Sequence, residues 1–436
     1  MKKKIINIKK ALFPTIFIFM IFITSGCSNL RKSYLEEYYD TLPDSYNAET
    51  DYPSSFYAGS LGPFVTPSSD GYYAFVGRYL YFIDKKTKQA SIVCNRPECR
   101  HMNETDQEKI PECQAYFQVL PNSFLQYYEG HLYVIVQYWD ENYVSQFALV
   151  QCSLDGANRK YLCKVDSASE GASFALHRGY LYEFSSDADK CFVERWRLDN
   201  LESEAERINE TAWDGGEMLP MFYGNTLYIT EVAKESDDQY MSQIHTYDLR
   251  TKEDVLFFNE SEIPVNKIVT CQTQFKGEIL YSEFDAGKYT PLTEIRYYLF
   301  DPVTREKNFL AGFQNDLGTE DDSRRTTTYL RASGDVIYCL HRDEKQESPV
   351  YNLSFLDENL QETKSSISLL NMGEFCDLCP GDEDFAFIGG MNGAWKDMYL
   401  YMVDKSSDTP DVTCLVEILE GKALPSLDTL PVVEGL

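Results

Sequence analysis

A glycine followed two to six residues later by a buried-type tyrosine or phenylalanine recurs along nearly the whole chain. The copies are Gly71/Tyr73, Gly130/Tyr133, Gly179/Tyr182, Gly224/Tyr228, Gly277/Tyr281 and Gly334/Tyr338, with a degenerate copy at Gly381/Phe387. Successive aromatics stand 46 to 60 residues apart. Each copy is followed by a second signature, a short apolar run ending in aspartate and a turn: Asp84, Asp155, Asp199, Asp248, Asp301, Asp357 and Asp404. A period of this length marks a fold built from stacked supersecondary units rather than from one irregular core.

The chemistry of the unit is readable. Glycine supplies the positive φ of a tight turn, the alternating apolar–tyrosine run is a strand, and aspartate caps the next turn. Two further short strands, such as 161–165, complete a four-stranded antiparallel unit. One such sheet leaves two apolar faces uncovered, so the units must bury one another around an axis. The expected fold is therefore all-β: a single β-propeller over residues 51–420, counted as seven four-stranded blades. Six or eight also fit, because the terminal copies are weakest. Residues 51–70 are expected to supply a strand closing the ring against the last blade. A β-sandwich or two β-domains would not produce so regular a period, and a helical solenoid would need a 3.6-residue periodicity that is missing. The 32 tyrosines and 26 phenylalanines favour strands as well.

Ahead of the repeats lies an export signal. Lys2, Lys3, Lys4, Lys9 and Lys10 form a cationic start, and residues 11–23 form an uncharged apolar run. That run falls short of the roughly 20 residues a membrane-spanning helix needs. The sequence Thr24, Ser25, Gly26, Cys27 then resembles a lipobox, with threonine where an aliphatic residue is usual. Residues 1–26 are read as a lipoprotein signal peptide, Cys27 as the lipidated new terminus and 27–50 as a tether. Residues 421–436 are read as a C-terminal tail. Two acyl chains on Cys27 make a stable anchor where one would be marginal. The protein is thus expected on the outer face of a bacterial cell membrane.

The formal charge of −29 becomes more negative once the leader lysines are removed. Such a surface repels nucleic-acid phosphates and anionic lipid headgroups, which excludes nucleic acid as a partner class. Of 12 cysteines, eleven follow Cys27, so at least one is free, metal-bound or paired between chains. Cys94, Cys99, His101 and Cys113 cluster in a polar insertion, 94–116, between the first two blades. Three thiols and an imidazole are the ligand set of a closed tetrahedral zinc site. The leading alternative is a disulfide among the cysteines, with His101 an ordinary surface residue; structural Zn²⁺ is the second reading and free thiols the third. Cys376 and Cys379 form a Cys-x-x-Cys outside any thioredoxin-like setting and are read as an inert loop or a local disulfide. Cys152 and Cys163, flanking the turn at Asp155, are placed to face one another across a hairpin or to lie buried as thiols.

The lipobox, the glycine–tyrosine and leucine–aspartate repeats and the cysteine cluster together resemble the propeller lipoproteins of Gram-positive anaerobes. More distantly the chain is similar to receptor-type YWTD propellers. The resemblance implies the architecture and no established activity.

Catalytic residues are not nominated. The histidines, His101, His131, His177, His245 and His341, lack a nucleophile elbow, and 69 acidic residues cannot single out a glycosidase pair. His131 and His177 are read as sharing one structural place in neighbouring blades. Trp196 alternates with apolar residues and reads as core. Trp139, Trp213 and Trp395 lie in loops and form a candidate ligand platform at the propeller mouth. The favoured function is a surface-displayed scaffold that binds a glycan, peptide or protein. The alternatives are a glycan-active hydrolase or lyase on the same fold, and a solute-capture lipoprotein of a transporter.

Overall fold

The computed structural model describes residues 41–47, 50–51, 54–56, 65–106, 108–119, 124–165, 172–186, 190–212, 221–236, 239–257, 267–285, 292–316, 318, 324–346, 350–369, 375–392, 397–419 and 433. The leader 1–26, Cys27, the tether to residue 40 and all of the tail except Val433 lie outside them. No helix among the described residues is long and apolar enough to cross a membrane.

Antiparallel meanders follow one another in chain order over 65–92, 125–164, 173–212, 221–256, 267–316, 326–368 and 375–418. The fifth and sixth join through the single pair Asp316–Thr326 into one eight-stranded sheet, and the others are separate four-stranded sheets. The repeat glycines other than Gly71 turn the first strand of a meander into the second with positive φ, whereas Gly71 already begins the second strand of its meander. At Arg178–Gly179 and Lys276–Gly277 both turn residues have positive φ (46° and 76°, 50° and 88°), the two-residue turn whose twist matches a hairpin. The repeat aspartates close the turn from third to fourth strand. Asp84 Oδ1 accepts from the amides of Lys86 and Thr87 at 2.9 and 2.6 Å, and Asp301 Oδ1 from those of Val303 and Thr304 at 2.7 and 3.1 Å. Those amides hold both carboxyls below the usual carboxylate range.

The apolar cores lie between successive meanders. Tyr73 and Leu80 of the first pack on Leu125, Leu132 and Val134 of the second. Tyr182 of the third packs on Phe222 and Leu227 of the fourth, and Tyr338 and Leu353 of the sixth on Leu378 and Ile388 of the last. The last meander packs in turn on the first: Tyr72, Tyr79 and Ile83 share one cluster with Phe385, Phe387, Met402 and Val416. The meanders therefore form a closed ring, which is a β-propeller.

Among the described residues, closure does not use the expected shared strand. Val65–Pro67 pairs with Gly71–Val76 inside its own meander, and the last meander is complete from 375–418. Side chains close the ring instead. The Tyr72 ring meets Phe387 edge-on at 4.8 Å, its hydroxyl donates to Asp382, and Lys85 pairs with Asp384 at 2.6 Å. The turn Ser54–Phe56 caps this junction, with Ser55 Oγ donating to the Gly381 carbonyl and Phe56 stacked on Tyr72.

The described residues ahead of the first meander are docked on the ring. Arg178, buried in a turn of the third meander, donates to both carboxylate oxygens of buried Asp51 at 2.6 and 3.0 Å. The same guanidinium reaches the carbonyls of Pro43 and Ser45 and the side-chain oxygen of Asn225, while Asn225 and Arg250 both donate to Asp44. Removing Asp51 would leave a buried guanidinium uncompensated. Asp51→Ala is expected to cost about 3–5 kcal/mol in urea unfolding, far more than loss of an exposed pair.

Two expectations about side-chain placement fail. Cys152 and Cys163 do not face one another: Cys163 lies opposite Leu149, and the two thiols join cores on opposite faces of the second sheet. A strand turns successive side chains to alternate faces, and the register settles which. His131 and His177 are not equivalent either. His131 is exposed at the start of its strand. His177 is fully buried, its Nε2 2.8 Å from the Gly224 carbonyl and its ring stacked on Phe222 at 4.3 Å. Burial drives the His177 pKa down to about 4. The unfolded chain takes up this proton near pH 6.5 and the folded chain only near 4, so folding stability falls as pH drops through that window. His177→Gln is expected to lessen the stability lost between pH 7 and 5 by about 2 kcal/mol, read from urea unfolding at each pH.

Candidate metal centre

The outermost strand of the first meander is interrupted. Gln89–Ile92 pairs with the third strand, and Val93 continues by donating to the Leu80 carbonyl. The chain then departs and returns at residues 115–117. There Leu80 donates to Ala115, Tyr116 bridges Tyr79, and Phe117 donates to Arg78. The cysteine-rich insertion is thus an excursion from the rim of the propeller: its thiols join the core shared by the first and last meanders, while its ends are tied to a turn of the second.

Local contacts draw its two ends together. Arg96 donates to Glu98 at 2.9 Å and, from the other end of the loop, to the Glu112 carbonyl and carboxylate at 2.6 and 3.0 Å. The Asn95 amide donates to the Gln114 side chain at 2.8 Å. Against the second meander, Asn95 donates to Asp155, and Arg159, stacked over Phe117 at 3.7 Å, donates to the Gln114 carbonyl. Gly156 is required here: its φ is +74°, and a Cβ would stand 2.4 Å from that carbonyl.

The loop brings Cys94, Cys99, His101 and Cys113 to one point, with a ligand atom of each within 4.8 Å of the others. Cys113 Sγ lies 3.6 Å from His101 Nδ1. Cys113 is buried and the other three half-buried; Met102, packed on the same core, accepts a hydrogen bond from Tyr81 through its sulfur. His101 holds a left-handed backbone, φ 51°, as the loop turns back. The three thiols are unpaired and electrostatically unequal. Burial works against ionising Cys94, yet the amides of Arg96 and Gln114 and the adjacent thiols hold its pKa below the usual value. Burial and then Cys99 push the Cys113 thiol up to about 12, and burial lowers His101.

The other sites named from sequence are placed differently. Trp139 ends the strand His131–Trp139 half-buried, its carbonyl accepting from the Val433 amide at 3.0 Å, with Tyr143 and Val144 exposed nearby. Trp213 and Trp395 lie outside the described residues. Trp196 packs against the core between the second and third meanders. Cys379 stands on a strand rather than in a loop, buried, its thiol donating to the Ser55 carbonyl at 3.7 Å. A cleft of about 410 Å³ that sequence reasoning missed is lined by Arg178, Arg195, Arg197, Arg250 and Lys252. Its cations come from separate stretches of chain and pair with Asp51, Asp199, Asp44 and Glu206, the last shared by Arg195 and Lys252.

No family model and no curated protein matches the chain. Among solved structures it is similar to TolB from Acinetobacter baumannii, at 13% identity over 80% of this chain and 78% of that one, TM-score 0.35. It is also similar to the GH74 xyloglucanase from Xanthomonas campestris, at 11% identity over 78% of this chain and 51% of that one, TM-score 0.42. A third likeness is to dipeptidyl peptidase 4 from Porphyromonas gingivalis, at 11% identity over 86% of this chain and 58% of that one, TM-score 0.40. The chain spans about half the length of the latter two. At this level the likenesses carry no argument about function, and the fold rests on the sheet topology.

The seating of the loop on the second meander is testable without touching any thiol. Gly156→Ala is expected to cost roughly 1–3 kcal/mol through strain and the displaced carbonyl. The same variant should speed limited proteolysis within residues 95–112 relative to the rest of the chain.

Proposed function

We propose that the protein is a lipid-anchored scaffold on the outer face of a bacterial membrane, presenting one end of its propeller to a glycan, peptide or protein. The observation carrying this reading is the Arg178–Asp51 latch. Pro43, Asp44, Ser45 and Asp51 dock on the turns that join first to second and third to fourth strands, at Arg178, Gly224, Asn225 and Arg250. An anchor at Cys27 would therefore enter from the turn end of the ring. The 13 residues between Cys27 and Thr41 span at most about 50 Å when extended. The opposite end of the ring would face away from the membrane.

That outward end is where the second strand of every meander finishes. Trp139 finishes one, and exposed Tyr143 and Val144 follow it. The strands Glu206–Ala212 and Phe385–Asn392 run to the same end by the alternation of the meander. Aromatic side chains there supply the rigid amphipathic area that binding surfaces use. The acidic surface favours a cationic or neutral partner and keeps the displayed domain apart from anionic neighbours.

Two measurements test the reading. Cys27→Ser should move the protein from the membrane fraction to the medium and remove the diacyl mass from the N-terminus. Retention at the membrane would refute the anchor. On arrays of glycans and peptides, Trp139→Ala and Tyr143→Ala are each expected to weaken binding about tenfold. Binding unchanged by these variants but lost on altering the turn end would reverse the orientation.

A further inference from the structure

We propose that Cys94, Cys99, His101 and Cys113 bind one Zn²⁺ in a closed tetrahedral site that fastens the rim loop. This inference is independent of the anchoring and binding reading, because the site lies on the outer strand and involves neither the docked tether nor the end bearing Trp139.

Distance is the first argument. With Zn–S near 2.3 Å and Zn–N near 2.0 Å, neighbouring ligand atoms of a tetrahedron stand about 3.5–3.8 Å apart. The Cys113 Sγ to His101 Nδ1 edge is 3.6 Å, and every other edge is 4.8 Å or less. Closing the cage therefore asks for shifts of about one ångström or less, within the reach of side-chain torsions.

Ligand chemistry is the second. The set is three sulfurs and one imidazole with no carboxylate, which selects Zn²⁺ over Mg²⁺ or Ca²⁺. One disulfide would use two of the thiols and leave the third, with the imidazole, crowded against it. A metal uses all four. Four protein ligands also fill the tetrahedron, leaving no open position for water or substrate, so the role is structural rather than catalytic.

Placement is the third. The ligands come from both ends of the excursion and from its first turn, so a single ion joins segments 94–101 and 113 across the loop. Among its described residues from Cys94 to Gln114, only Ile110 and Cys113 are buried. The loop has little apolar area with which to hold its shape, and metal binding supplies that free energy.

The test uses the full-length chain, expressed from residue 1 and purified in detergent without added reductant, chelator or metal. Elemental analysis should give about one zinc per chain, and Cys99→Ser or His101→Ala should lower it about tenfold. Cys414→Ser, an exposed thiol outside the cluster, should leave zinc unchanged, and His101→Cys should retain it as a four-sulfur site. Near-ultraviolet circular dichroism of each variant separates loss of a ligand from loss of the fold. In the Co²⁺-substituted chain, intense thiolate-to-metal charge-transfer bands should appear and vanish in Cys99→Ser. Metal-free protein in which two of the eleven cysteines beyond Cys27 fail to titrate, Cys27 itself being blocked by its lipid, would overturn the proposal in favour of a disulfide. Metal-free protein with all thiols titratable, or iron at one per chain, would overturn it equally.

Discussion

A four-stranded antiparallel sheet built from alternating aromatic and aliphatic residues has two apolar faces, and nothing within the sheet covers either. Every other feature of this molecule follows from that constraint. Each face is covered by the next meander, so the repeat aromatics meet the neighbour's aliphatic residues, as Tyr182 meets Leu227 and Phe222. An open row of such sheets would leave one face bare at each end. Bringing the last meander against the first removes both bare faces together, and burying a large apolar side chain is worth about 1.5–3 kcal/mol. The Tyr72–Phe385–Phe387 cluster is that closure.

Because apolar packing has little directional content, the polar groups set which meander sits where. Inner strands are stitched by side chains that satisfy a neighbour's backbone. Gln126 of the second meander both donates to and accepts from Leu176 of the third, at 2.7 Å each way, and Thr273 of the fifth accepts from Ala332 of the sixth. In so acidic a chain the scarce cations stand at the same joints. Lys85 joins the first meander to the last, Lys252 the fourth to the third, and Lys276 the fifth to the sixth. Each exposed pair is worth less than about 1 kcal/mol. The buried cations bear more weight. Lys405 donates to the carbonyls of Pro380 and Asp382 beneath Tyr338, and burial lowers its pKa to about 8. An ammonium there binds the closing turn to its own sheet.

What the sequence reveals and what it hides divide along the same line. The glycine and aspartate turns are local chemistry, and their period is visible, so strand order and the all-β ring could be read from residues such as Gly277 and Asp301. The convergence of Cys94, Cys99, His101 and Cys113 was legible as well, because a short polar insertion leaves those side chains few other places to meet. Long-range choices were not legible. The sequence does not record that Val65–Pro67 stays with its own sheet, because a closing strand and an inner strand share one alternation. Nor does it record that Asp51 seeks Arg178 across more than a hundred residues, since one acid among 69 carries no mark of its partner. Cys152 and Cys163 show the same limit at short range, where a register shift between Leu149 and Val150 decides the faces.

The position of the rim loop follows from the ring. An inner strand is flanked by neighbours on both sides and cannot be interrupted without breaking two interfaces. The fourth strand has a partner on one edge only, so the chain can leave after Val93 and resume at Ala115 while Leu80 keeps both of its backbone bonds. Such an excursion meets solvent on most sides, and ordering it costs about 1–2 kcal/mol of backbone entropy per residue. Ile110, Cys113 and the Arg96–Glu112 contacts offset only part of that. The side chains that converge at its centre, Cys94, Cys99, His101 and Cys113, are the ones able to cross-link its two ends.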